Sequence, residues 1–418
     1  MRIWIHIFHR DFRLVDNNAL RLWHYHYGNE SDTTVLPIFI FTPAQVDVRK
    51  NGFFSSNSVQ FMLDSLYNLD EDLKADGGKL HTFYGDTIEV LKELQPRLPK
   101  LVGIIENYDY TPFAKERTAS IANFCSKNRL EYIIAHDLYL NPPGTILNKA
   151  GNTFQKFTPF YEASLLVPVQ KPIGCNVRWY RIGSVGPEES LKSIESRILP
   201  ERNPHIHVKG GRDEALKILS KLRITLKDYE KDKDMPAKST SNLSAHNHFG
   251  TVSIREVYWS APNIDGFIRQ LYWRDFYGHI CDAFEKLYGE SPYDFMRVPA
   301  KGWSTSKKNF EKWASGTTGH LLVDAGIKQL LKTGYIHNRA RLVVASYLAK
   351  ELKIHWRWGE AFFAQHLVDY DFAQNFGNWC WVASVLPFSS APFRRLDPER
   401  QLELTDPDRE YVKKWLEK

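Results

Sequence analysis

The chain has 418 residues, 43% of them hydrophobic and 14% aromatic, with 55 Lys+Arg against 49 Asp+Glu for a formal net charge of +6. That length implies one or two domains with an ample core, and the mildly basic balance permits a polyanionic partner without requiring one. Four widely spaced cysteines (Cys125, Cys175, Cys281, Cys380) form no CxxC pair, which argues against a disulfide framework or a zinc or iron–sulfur site, and the absence of a signal peptide or membrane-length apolar run leads us to expect a soluble, intracellular protein.

Residues 1–137 alternate apolar runs with helical patterns. Strands are expected at Ile3–Phe8, Val35–Phe41, Leu80–Tyr84, Leu101–Glu106 and Tyr132–Ala135. Helices are expected at Ser58–Ala75, Thr87–Leu94 and Phe113–Asn128. This alternation predicts a Rossmann-like parallel sheet with crossover helices. The charge-rich segment HRDFRLVDNNAL follows the first strand, at the carboxyl end where such sheets bind ligands. No GxGxxG is present. Residues 138–211 are rich in Pro and Gly and read as a linker over the surface. Residues 212–418 are mostly helical in pattern, so the fold class is α/β: a parallel-sheet domain followed by an all-helical domain.

Three stretches of the helical part carry polar chemistry. TSNLSAH, Thr240–His246, offers hydroxyls and backbone N–H groups that suit either a phosphate or a plain helix cap. His246 and His248 have no third ligand nearby, so no metal is expected. In QLYWRDFY, Gln270, Trp273, Arg274 and Tyr277 fall at i, i+3, i+4 and i+7. The same spacing joins Tyr335, Asn338, Arg339 and Leu342. Each set forms one helix face that mixes aromatics, amides and cations, where a core helix would carry aliphatics. Asp369, Asp371 and Asn375 sit among Phe372, Phe376, Trp379 and Trp381. Buried carboxylates require partners, and Arg341 is a candidate for either. The cluster reads as a site for a polar heteroaromatic ligand or as a structural salt bridge.

The pieces TGYIHNRAR, VASYLAKEL, IHWRWGEAFFAQHLVDYDFAQNFGNW, GTTGHLLVDAGIKQL, LYWRDFYGH, TSNLS and HRDFRLVDNNAL, spread over nearly the whole chain, resemble the photolyase/cryptochrome family, most closely the class I cyclobutane pyrimidine dimer photolyases. The resemblance implies light-driven repair of UV-damaged DNA by a monomer carrying FAD, with a second antenna chromophore of folate or deazaflavin type as an option near ENYDYTPFAKER. It implies flavin contacts by Tyr229, Thr240, Ser241, Leu243, Ser244, Arg341, Asp369 and Asp371, with Asn375 facing flavin N5. It implies lesion and DNA contacts by Gln270, Trp273, Arg274, Asn338, Arg339 and Trp381, with further phosphate contacts from Lys233, Arg394 and Arg395. Trp379, Trp356 and Trp303 match the family's electron relay, Trp303 following the loop 299–302. Gln270 stands where the dimer enzymes usually have Glu, and Leu342 where they have Met. Gln270 thereby leaves a (6-4) photolyase, or a cryptochrome-like photoreceptor, as the alternative.

Overall fold

The computed structural model describes residues 1–181, 183–284, 302–386 and 394–417. Five parallel strands form one sheet in the order β3-β2-β1-β4-β5: β1 (Arg2–Ile7), β2 (Thr33–Phe41), β3 (His81–Tyr84), β4 (Leu101–Asn107) and β5 (Glu131–Ala135). All nine residues of β2 are buried, as befits a strand covered on both faces. The crossover helices expected from the sequence are present at Ser56–Ala75, Thr87–Leu94 and Pro112–Asn128. A further helix, Asn18–Tyr27, closes the β1–β2 connection; its cap is Asn17, whose side chain accepts from the Leu20 N–H.

The strand order reverses between β1 and β4, which opens a crevice at their carboxyl ends. The loop after β1 enters that crevice. Asp11 anchors it by accepting from the His9 N–H (2.8 Å), Asn17 Nδ2 (2.9 Å) and Asn107 Nδ2 (2.6 Å). The loop is thereby held from both strands, and Arg10 is aimed out of the sheet.

The segment 138–211 is not wholly irregular. It contains helices Phe157–Ser164 and Leu191–Ile198, each anchored by apolar residues at helical spacing: Phe157 with Phe160, and Leu191 with Ile194 and Ile198. Their Pro- and Gly-rich flanks masked these short amphipathic stripes in the sequence. Beyond it, the chain is helical among the described residues. Buried ion pairs tie the two halves together: Arg255 reaches Asp16 (2.7 Å) and Asp137 (2.7 Å), and Arg13 also pairs with Asp137. Among the described residues no helix is long and apolar enough to cross a membrane. The loop 299–301 and most of the 382–401 segment's centre, 387–393, lie outside the described residues.

Candidate functional site: a two-lobed chamber in the helical half

Two adjoining cavities of about 360 and 200 Å³ share Asn338, Arg341, Asp369, Asp371 and Gln374 in their walls and form one chamber. Its walls come from four places. The loop before helix Ser244–Phe249 supplies Thr240, Ser241, Leu243 and Ser244. Helix Asp265–Ala283 supplies Phe267, Gln270, Leu271 and Arg274. Helix Asn338–Ser346 supplies Asn338, Arg341, Leu342 and Ala345. Helix Phe372–Ala383 and its cap supply Asp371, Gln374, Asn375, Asn378, Trp379 and Val382. Tyr229 lies at the wider end.

Local sequence sets these walls. Gly334, at φ +68, ends the preceding helix, and a Cβ there would meet the Asn57 side chain at 2.7 Å. His337 then caps the next helix by accepting from the Arg339 N–H through Nδ1 (3.1 Å). Tyr335 therefore lies in the loop before the helix, and stacks flat on His207 (3.9 Å between centroids, 5°). The helix face toward the chamber is Asn338, Arg341, Leu342 and Ala345, one step round from the stripe expected, and Arg339 is turned aside into an ion pair with Asp234 (2.6 Å). Helix Asp265–Ala283 shows the same offset. Phe267, Gln270, Leu271 and Arg274 face the chamber, while Trp273 stacks on Phe157 (3.7 Å, 5°) outside it.

Arg274 was expected to grip a DNA strand; its guanidinium is instead spent inward, on the carbonyls of Leu138 (2.5 Å) and Asn247 (3.1 Å), above the Tyr139 ring. Those fixed acceptors make it a wall residue. Trp381 is half-buried, with the Arg394 guanidinium 5.4 Å from its ring centroid.

The chamber floor is electrostatically organised. Arg341 Nη2 donates to Asp369 Oδ2 (2.7 Å), and Arg341 Nε to the Ile336 carbonyl. Asp369 is 6% exposed, yet its Oδ1 has no partner. A buried carboxylate oxygen without a donor is expensive, so this atom awaits an N–H or O–H from a ligand. Asp371 caps its helix through Oδ1, and its Oδ2 meets Arg10 and His248 Nδ1 (3.3 Å). Burial would raise the Asp371 pKa, but Arg10, His248 and Arg274 together outweigh it and hold the group well below the usual carboxylate range. Asn375 Nδ2 donates to Glu360 through both its carbonyl and Oε1 (3.2 Å each). Burial pushes Glu360 up to about 7.

The three tryptophans expected to form an electron relay lie in or against one core cluster: Trp379 and Trp356 are buried and Trp303 is half-buried. Trp379 lines the chamber and packs where Gly359 has no side chain; a Cβ there would stand 2.2 Å from the indole. Trp303 reaches Trp356 through His355, with centroid steps of 5.3 and 6.0 Å. Trp379 also meets Trp313 edge-on at 6.4 Å.

A second cavity, about 530 Å³, lies across a wall formed by Arg10 and His248. It sits at the carboxyl ends of β1 and β4, where the sheet order reverses. Phe39, Phe41, Phe53, Phe372 and Phe376 dominate it, and Asp109, Thr111, Phe113 and Arg117 of ENYDYTPFAKER also line it. Arg10, His248, Glu360, Gln374 and Asn378 were missed by sequence reasoning. For Gln374 and Asn378 a signal existed: with Asp371, Asn375 and Val382 they form an i, i+3, i+4, i+7, i+11 stripe. For Arg10 and His248 no local signal exists, because their partner is Asp371, 361 and 123 residues away.

A Rossmann-like sheet joined to a helical half that encloses a polar, aromatic-walled chamber defines a nucleotide-cofactor protein, and the comparisons agree. Residues 267–418 match the FAD binding domain of DNA photolyase, and residues 4–173 match DNA photolyase. The deoxyribodipyrimidine photo-lyase of Streptomyces griseus is 30% identical, covering 100% of this chain and 90% of its own. The archaeal photolyase of Sulfolobus tokodaii, solved with two FAD molecules and an implied light-harvesting cofactor, superposes with a TM-score of 0.85 at 33% identity, covering 99% and 90% of the two chains. A class III photolyase from Agrobacterium tumefaciens superposes at 0.88 with 28% identity, covering 99% and 86%. The chain belongs to the photolyase family and carries its FAD-binding domain.

Proposed function

We propose that this chain is a light-driven DNA repair lyase that splits cyclobutane pyrimidine dimers in UV-damaged DNA, working as a monomer in solution. The observation that carries the proposal is the chamber itself: a polar floor with an orphaned carboxylate oxygen at Asp369, and a mouth where Gln270 and Asn338 are both exposed. The orphaned oxygen and the hydroxyl-rich loop fit the polar ring edge and the diphosphate of FAD. Bound FAD, when reduced, absorbs blue or near-ultraviolet light and can lend one electron to a dimer.

The chain's own residues do the rest. Thr240, Ser241 and Ser244 offer hydroxyls, and with Leu243 backbone N–H groups, to the diphosphate. Arg341 orients Asp369; Asp369 and Asp371 offer acceptors to ring N–H and ribose hydroxyls. Asn375 presents its amide from a fixed position, since Glu360 accepts both of its hydrogen bonds. Gln270 and Asn338 offer amide hydrogen bonds to the carbonyls of the flipped bases. Trp381 offers a stacking surface to the bases, while Trp273 bears face to face on Phe157. Trp303, Trp356 and Trp379, which share one core cluster, would carry an electron inward from the surface. Lys233, Arg339, Arg394 and Arg395 contribute sequence-independent attraction to the strand. The second cavity, by size and aromatic lining, suits a ring chromophore as an antenna. In domain terms, 1–137 would hold the antenna site, 138–211 the connection and 212–418 the catalytic site.

Gln270 favours one alternative, repair of (6-4) products. The test is a purified-protein absorption spectrum followed by blue-light repair of oligonucleotides bearing each lesion. Restoration of the cyclobutane dimer alone is expected; restoration of (6-4) products instead would overturn the assignment.

A further inference from the structure

Arg274 and Arg339 each meet protein acceptors, and a dedicated phosphate contact at this rim calls for an exposed cation that no protein group engages. Arg269 has the required properties. It is exposed, one residue from Gln270 and one helical turn before Trp273. Its guanidinium carbon lies 5.1 Å from the Phe157 ring centroid and 5.0 Å from that of Tyr161. Among the described residues no ion pair or hydrogen bond engages this guanidinium. Those two rings are nearly parallel (13°), and Trp273 continues the shelf, face to face with Phe157 at 3.7 Å. The shelf restricts a long side chain that would otherwise lose about 2 kcal/mol of rotamer entropy on binding. No protein acceptor among the described residues takes its N–H donors, so a phosphate could.

We propose that Arg269, seated on Phe157 and Tyr161, is a contact for a backbone phosphate of the strand that presents the lesion, and that the shared shelf fixes this contact relative to the Trp273 indole. The proposal rests on the reading of damaged DNA as substrate. The helix Phe157–Ser164, which interrupts the connecting segment, thereby gains a reason to be ordered: it supplies both rings.

The experiment measures the dissociation constant of the FAD-loaded protein for a thymine-dimer duplex and for the undamaged duplex, over a series of salt concentrations. One phosphate contact adds about 0.9 to the magnitude of the log–log salt slope. Arg269→Gln is expected to lower that slope by about this amount on both duplexes, with FAD content unchanged, and Arg269→Lys to restore most of it. An unaltered slope in Arg269→Gln, with wild type binding the dimer duplex in a salt-dependent way, overturns the proposal. If wild type itself fails to prefer the dimer duplex, the failure belongs to the reading of the substrate. Loss of slope in Arg269→Gln that Lys does not restore would also count against it, because the contact would then not be one of charge.

Discussion

The two cavities on either side of the Arg10–His248 wall differ in kind. The chamber has a floor of Asp369, Asp371, Asn375 and Arg341, each with a fixed partner and one with an oxygen left over. The second cavity is larger than either lobe, and phenylalanine faces such as Phe39, Phe41, Phe372 and Phe376 share its wall with Arg10, Arg117, Arg357 and Glu360. Directional polar groups choose one ligand, because a wrong ligand leaves them unpaired. Stacking on phenylalanine faces accepts many flat rings about equally. The chamber's ligand is therefore readable from its residues, and the second cavity's is not.

The largest effect that would sharpen this contrast is loss of light-driven reduction within the chamber. Of the three tryptophans proposed as a relay, Trp379 lines it. Trp379→Phe should abolish blue-light bleaching of the oxidised flavin band with a thiol reductant present, while repair by chemically reduced protein persists. Normal bleaching in the variant would remove Trp379 as the entry point. Because Trp379 also touches Trp313, a Trp356→Phe variant that bleaches normally would shift the relay to that neighbour.

Next in size is the floor. Arg341→Leu would leave Asp369 buried without its cation, which costs about 3 kcal/mol. Urea unfolding of the apoprotein should show that loss, and purified variant should contain little FAD. An unchanged unfolding midpoint with full FAD content would mean that the Asp369–Arg341 pair does not organise the chamber.

The sequence disclosed elements more readily than directions. All five expected strands and all three expected helices are present, shifted by one or two residues at their ends, because parallel strands and crossover helices announce themselves by period. Of the two expected helix stripes, Gln270, Arg274, Tyr335, Asn338 and Leu342 line the chamber, whereas Trp273, Tyr277 and Arg339 do not. On Asp265–Ala283 the stripe was drawn through Trp273 and Tyr277, large aromatics that in fact pack outward against Phe157 and the neighbouring core. Aromatic size drew the eye, whereas the smaller set through Phe267 and Leu271 faces the chamber. In the Tyr335 stripe only Arg339 departs, paired with Asp234; Gly334 and His337 break the chain between two helices, so Tyr335 reaches the chamber from the loop and not by helical spacing. Arg10 and His248 were invisible because a wall built from residues 361 and 123 positions distant from Asp371 leaves no local pattern.

A smaller effect, dependent on pH, tests whether the two cavities share a group. Glu360 lines the second cavity and accepts from Asn375 in the chamber. Burial raises its pKa from 4.5 to about 7, so the folded protein retains a proton that the unfolded chain has already released. Stability should therefore fall as pH rises from about 4.5 to about 7 and level off above, a loss on the order of 3 kcal/mol from this group. Glu360→Gln keeps an acceptor for Asn375 but cannot ionise. It should be more stable than wild type at pH 8 and little different at pH 4.5, as read by urea midpoints. Asp275, likewise raised to about 7 by burial, contributes to both proteins and cancels in the difference. Equal differences at the two pH values would show that Glu360 titrates normally.

The smallest expected effect bears on the independence of the cavities. Met62 is half-buried in the wall of the second cavity and touches no part of the chamber wall. Met62→Trp would put an indole into that space, and overpacking of this kind typically costs 1–3 kcal/mol, less where, as here, an open cavity can receive the ring. The variant should keep its FAD and its repair of dimers under direct flavin excitation. What it should lose is any second chromophore, seen as a missing band in the absorption spectrum or as a failure to regain it when ring compounds are added to stripped protein. Arg10 and His248 hold the wall from the chamber side through Asp371, so filling the far side has no polar contact to disturb. If FAD content falls along with the second band, the wall transmits strain and the two cavities act as one site; if neither changes, the second cavity is not where the antenna sits.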